Sequence, residues 1–241
     1  MQMSATYVNF DLRQIPVLLR GHPESLDAWA QRWETKRVLL YVVVIVVGTG
    51  VYGAAMGCWR APLQAIYTGI KFPLIVLLTT LGNAFLNGML APLLGLNLSF
   101  RQSSVAILMS FTIAAAILGA FSPLIFFLVW NAPPLSSRAA MSSATYQFIL
   151  LSHVALIAFA GVTANVRLVQ LLQRLSGSGI LARKILFAWL AGNLFLGSQL
   201  SWNLRPFVGS PNLPLEFLRP NPFQGNFYES VVQAARHLLF P

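Results

Sequence analysis

Between Thr35 and Leu215 the chain carries no aspartate and no glutamate. Asp11, Glu24, Asp27 and Glu34 precede that stretch, and Glu216 and Glu229 follow it. Machines that couple membrane transport to protons or cations keep carboxylates at membrane depth despite their cost there, so this absence disfavours an ion-coupled pump. Cysteine is almost missing as well: Cys58 stands alone, which rules out an intrachain disulfide and a cysteine metal cluster. The histidines are His22, His153 and His237. With no acid between the ends of the chain to orient an imidazole, a serine–histidine–acid site lacks its parts, and a serine–lysine pair with Lys184 or Lys71 is the nucleophilic arrangement left open. The expectation is a non-enzymatic protein with no catalytic residue, no metal site and no cofactor. Charge of either sign is scarce, at 9% of residues, whereas 56% are hydrophobic and the mean hydropathy is +0.68. That balance excludes an ordinary water-soluble domain.

What is present instead is a series of apolar runs of about 20 residues, the length an α-helix needs to cross a bilayer. They cover roughly Val38 to Gly57, Phe72 to Leu94, Val105 to Trp130, Tyr146 to Leu168 and Ile185 to Trp202. Backbone groups in hydrocarbon must bond within their own segment, and the runs lack strand alternation, so they read as helices rather than a barrel. The fold class expected is all-α: an integral membrane bundle of five spans with interfacial amphipathic helices. Acids, prolines and glycines in residues 1–37 come before any long apolar stretch, the wrong order for a cleaved secretory signal. The chain therefore divides into a segment 1–37, a membrane domain 38–202 and a tail 203–241.

Sixteen basic residues against six acidic ones give a net charge of +10. The basic residues gather in loops and tails, which suits anionic lipid headgroups or an acidic partner rather than nucleic acid. One side of the membrane would hold Arg32, Lys36, Arg37, Arg101, Arg167, Arg174, Arg183 and Lys184. The other would hold Arg60, Lys71, Arg138, Arg205 and Arg219. The richer side is cytoplasmic by the positive-inside rule, which puts the N-terminus in the cytoplasm and the C-terminus outside. Two stretches read as surface-lying helices. Pro23 to Arg37 sets Leu26, Trp29, Ala30 and Trp33 on one face, and Ala61 to Lys71 sets Leu63, Ile66, Tyr67 and Ile70 at helical spacing.

Three constellations carry the candidate sites. Thr49, Gly53 and Gly57 form a small-residue stripe for close helix packing, within the bundle or between copies of the chain. Asn83, Asn87, His153, Asn165 and Asn193 place polar side chains at membrane depth, facing inward either as interhelical hydrogen bonds or as a polar pathway for a small molecule or lipid headgroup. Ser176-Gly-Ser-Gly lacks the strand and lysine of a phosphate loop and reads as a turn. The third constellation is the tail, where Leu204-Arg-Pro-Phe-Val-Gly-Ser-Pro-Asn and Leu218-Arg-Pro-Asn-Pro-Phe-Gln-Gly-Asn repeat a pattern 14 residues apart. Such a density of proline, glycine and aromatics predicts an ordered irregular structure. Asn226 followed by Glu229 then caps a short helix aligning Phe227, Val231, Ala235 and Leu238. Arg205, Phe207, Arg219, Phe223, Phe227 and Tyr228 are its candidate partner surface.

The stretch Arg60-Ala-Pro-Leu-Gln-Ala-Ile-Tyr-Thr-Gly-Ile-Lys-Phe-Pro-Leu ends in Lys71-Phe72-Pro73 at the mouth of the second span. With the five-span plan it resembles the bacterial branch of the Yip-type, Rab-interacting-protein-like membrane family, over roughly residues 38–202. Eukaryotic members are linked to Rab GTPases and vesicle traffic. The resemblance implies a place in a bacterial inner membrane. The tail from Gln199 to Ser230 is also similar to segments of uncharacterised bacterial multipass proteins. The expected function is a membrane scaffold or accessory subunit of a larger complex, with membrane lipids, other membrane proteins or copies of itself as partners. The alternative is a small-molecule or lipid transporter or channel using the polar faces.

Overall fold

The computed structural model describes residues 13–20, 34–95, 99–133, 143–209 and 214–229. Six helices form within them: α1 (Gln14–Arg20), α2 (Thr35–Gly57), α3 (Pro62–Leu93), α4 (Phe100–Trp130), α5 (Ser143–Ser176) and α6 (Gly179–Asn203). No strand occurs among the described residues. Helices α2 to α6 are long and apolar enough to cross a membrane. The expected surface helix over Pro23 to Arg37 lies outside the described residues except for its last four positions.

Local chemistry sets the helix ends. Ser99 opens α4 with a reciprocal cap, accepting from the Gln102 N–H at 3.3 Å while its own N–H donates to Gln102 Oε1 at 2.9 Å. Ser178 caps α6 by accepting from the Leu181 N–H. Gly177, at φ 62, makes the left-handed turn between α5 and α6, so the Ser-Gly-Ser-Gly segment is a tight helical hairpin. Helix α3 opens on Pro62, where a missing N–H costs nothing.

Helix α2 packs against α3 and α4, α4 packs against α5, and α6 closes the bundle against α3 and α5. Two apolar clusters fill it. Toward the end that carries α1, Leu18, Tyr41, Met109, Ile113, Leu168, Leu172, Ile185 and Trp189 pack together. At the opposite end, nearest the tail, Tyr52, Met56, Trp59, Leu118, Ile125, Val129, Ile149 and Val208 do the same. The outer faces carry Val162, Leu81, Phe85, Phe187 and Phe195, all exposed, while Thr68, Thr79, Asn83, Asn87 and Thr112 are buried. Water would enforce the reverse arrangement, and hydrocarbon selects this one.

Helix α3 revises one expectation. The stretch Ala61 to Lys71 does not lie along the surface as a separate helix; it is the beginning of a continuous 32-residue helix. At 1.5 Å per residue that helix is about 48 Å long, more than the ~30 Å hydrocarbon core, so its extra turns reach the interface or are taken up by tilt. Leu63, Ile66 and Ile70 point away from the bundle, and the polar residues between them turn in.

The small-residue stripe on α2 works inside the chain. A Cβ at Gly53 would stand 2.6 Å from the Thr68 carbonyl oxygen, and one at Gly57 would stand 2.5 Å from that of Gln64. Thr49 is buried and donates to the Ile45 carbonyl. On another face of α2, Gly48 lies directly against the backbone of Ala115 in α4. Gly161 in α5 differs, with nothing within 4 Å of its added Cβ. Gly53→Ala should therefore cost about 1–3 kcal/mol by overpacking. Gly161→Ala should be neutral or stabilising by about 0.5–1 kcal/mol. Reversible unfolding in mixed detergent micelles checks the contrast, and equal effects would refute the close α2–α3 approach.

Candidate functional site

One face of α3 is polar along most of the helix. Gln64, Thr68, Lys71, Thr79, Asn83 and Asn87 recur at steps of three, four or eight, and all are buried. Only Ile75 interrupts the row. The row feeds two separate sites, one at each end.

At the tail end, the first Leu-Arg-Pro segment is bent into the bundle across a cis Arg205–Pro206 bond. Its carbonyls need donors, because hydrocarbon and apolar side chains offer none. Helix α3 supplies them. Lys71 Nζ donates to the Pro206 carbonyl at 2.9 Å. Gln64 Nε2 donates to the Phe207 carbonyl at 2.6 Å and to that of Pro206 at 3.2 Å. Thr68 Oγ1 lies 2.7 Å from the Phe207 carbonyl and 2.9 Å from that of Gln64, so its single proton is shared. Lys71 is fully buried, and its ammonium also faces aromatic rings, 4.8 Å from the Phe217 centroid and 5.9 Å from that of Phe207. Tyr67 meets Phe217 edge to face at 5.3 Å and lines the same side. Carbonyls and π-faces thus take the place of a counter-ion.

The tail then runs back along α6. The guanidinium of Arg205 lies 3.5 Å over the Trp202 ring and donates to the Trp202 carbonyl. Trp202 Nε1 donates to the Gln224 carbonyl at 3.3 Å. The Phe227 N–H donates to Gln199 Oε1, and the Tyr228 hydroxyl meets Ser198 Oγ at 2.7 Å while its ring stacks on Phe195. Asn226 accepts from the Glu229 N–H at 2.8 Å, the cap expected there, although the helix it opens is described only over residues 227–229. Of the six candidate surface residues, Phe223 is 82% exposed, whereas Phe227 and Tyr228 are partly covered against α6. The Phe207 carbonyl belongs to the clasp, and Arg205 and Arg219 line a groove described below.

At the other end of the row, Asn83, Asn87, Asn165 and Asn193 meet around a cavity of about 70 Å³, with Ser110 and Trp189 in its wall. Asn83 Nδ2 donates to Asn193 Oδ1 at 3.1 Å, and Asn165 Nδ2 donates to the Gly161 carbonyl. Asn83 Oδ1, Asn87 Oδ1 and Trp189 Nε1 are buried without a partner. The space can take several waters or a small polar molecule. Among the described residues, no carboxylate, lysine or histidine lines it. His153 lies apart from the asparagines, its Nδ1 3.0 Å from the Tyr52 hydroxyl near the tail.

Other chemistry is sparse. Among the described residues no three His, Cys, Asp or Glu side chains gather as a metal site would require. Burial pushes the Cys58 thiol above its ordinary pKa, which keeps it protonated and poorly nucleophilic near neutral pH. The asparagine positions were readable as polar residues in apolar runs. Gln64, Thr68 and Lys71 were missed because the stretch 61–71 was read as a separate surface-lying helix, outside the second span. Their signal was the same row continued upstream from Asn83.

Five apolar spans, lipid-facing hydrophobic surfaces and an inward polar row define an α-helical multipass integral membrane protein. Compared with protein-family models, curated proteins and solved structures, the chain has no significant match.

Proposed function

We propose that this protein is a non-enzymatic membrane scaffold or accessory subunit of a larger membrane complex, presenting its clasped tail to another membrane protein. The observation that carries this reading is the clasp itself. Lys71, Gln64 and Thr68 are committed to holding the Pro206 and Phe207 carbonyls rather than left free for chemistry. A segment fixed in this way meets a partner without the ordering cost a floppy tail would bear. Phe223, exposed at 82%, is the aromatic it offers. In the same proposal the N-terminus is cytoplasmic, the tail faces outward from a bacterial inner membrane, and the bundle is kin to the Yip-type family. A photo-crosslinking residue at Phe223 in intact membranes should give one discrete protein adduct that disappears with Lys71→Met. Lipid adducts alone, or a protein adduct indifferent to Lys71→Met, would contradict the reading.

A second reading, a small-molecule or lipid transporter or channel, is favoured by the unbonded Asn83, Asn87 and Trp189 atoms around the cavity. On that reading, liposomes containing the protein pass glycerol or a headgroup-labelled phospholipid, and Asn83→Leu with Asn193→Leu cuts the flux at least tenfold. Absent flux, or flux indifferent to the double substitution, removes it.

A further inference from the structure

Beside the clasp, α5 parts from the tail to leave a lateral groove of about 330 Å³. One wall is apolar: Met56 of α2, Phe72 of α3, and Leu150, Val154 and Ile157 of α5. Val154 and Ile157 are themselves 61% and 39% exposed on the bundle's outer face, so the groove opens sideways toward lipid. Its polar wall holds His153, Ser201, Arg205 and Arg219. No carboxylate lines it among the described residues.

Three of these side chains carry unused hydrogen-bonding atoms. Arg205 Nε and Arg219 Nε are both buried without a partner. His153 is only 3% exposed, and its Nε2 is likewise unbonded. The tautomer follows from bond economy. If the Tyr52 hydroxyl donates to Nδ1, both groups are used and Nε2 carries a proton, a donor for the groove; the reverse choice strands the hydroxyl proton in an apolar cluster. Burial, and after it the neighbouring charge of Arg219, lowers the pKa of Arg205, so the two arginines also bear on each other. Two like charges held together with spare donors favour an anion between them, and arginine forks suit the oxygens of a phosphate.

We propose that this groove is a binding site for one anionic phospholipid, its phosphate held by Arg205 and Arg219 with His153 Nε2 donating to a headgroup or ester oxygen, and an acyl chain lying along Leu150, Val154 and Ile157. The layout matches the occupant: cationic donors stand in the segment following the last span, and apolar side chains line the helix beneath them. A soluble phosphate would use the arginines and leave the apolar wall empty. A zwitterionic lipid would bring its own cation to two arginines that have no ion pair among the described residues.

The test is native mass spectrometry of the full chain in non-ionic detergent, titrated with dioleoyl phosphatidylglycerol. One lipid should bind in preference to further copies, at least about tenfold more tightly than dioleoyl phosphatidylcholine. Arg205→Gln with Arg219→Gln should erase that preference. Ile157→Trp, which fills the apolar wall and leaves both arginines in place, should weaken phosphatidylglycerol binding at least about tenfold and keeps the test decisive if the arginine variant does not fold. Millimolar inorganic phosphate should not displace the lipid. Equal affinity for the two lipids, binding indifferent to Ile157→Trp, or displacement by inorganic phosphate would each overturn the assignment.

Discussion

A lysine ammonium enclosed by protein near a membrane surface must be answered by something, and no carboxylate among the described residues pairs with Lys71. The chain answers it with the Pro206 carbonyl and the faces of Phe217, Phe207 and Tyr67. The dependence runs both ways. A proline-rich segment turned into the bundle has carbonyls that no helix or sheet can satisfy, and leaving one bare costs about 1–3 kcal/mol. Lysine, glutamine and threonine on successive turns of α3 meet those carbonyls, and in doing so they fix where the tail leaves α6. The groove with Arg205 and Arg219, the wrapping of the tail along α6 and the exposure of Phe223 all follow from that placement.

The same helix shows how the lipid environment inverts ordinary packing. Its apolar residues gain little by turning inward, because hydrocarbon is already apolar, whereas its polar residues gain partners only inside. The polar row is therefore buried from Gln64 to Asn87. Close approach makes room for it: Gly53 and Gly57 bring α2 against the backbone of α3 at the Thr68 and Gln64 turns that carry the clasp. Small residues, polar row and tail form one mechanical unit.

Much of this was legible in the sequence. Long apolar runs separated by turns and charges specify five helices, and the absence of acids between Thr35 and Leu215 specifies a bundle without ion pairs inside it. The asparagines at 83, 87, 165 and 193 stand out against their apolar neighbours, and four of the five polar positions converge on one cavity. His153 does not, because spacing along α5 fixes its face but not which neighbour that face meets at each depth. The role of residues 61–71 was hidden for a related reason. Leu63, Ile66 and Ile70 read equally well as the buried side of a surface helix or the lipid-facing side of a spanning one. Only the position of the tail, a contact across more than 130 residues, decides between them.

The central claim is that the tail is clasped to the start of α3 in a single arrangement. It is tested most directly by the distance between nitroxide labels at Ile66 and Phe223, both exposed, in a Cys58→Ser chain reconstituted in lipid nanodiscs. Double electron–electron resonance should return one narrow distance that broadens when Lys71→Met is added. A broad distribution in the chain that retains Lys71 would contradict the account.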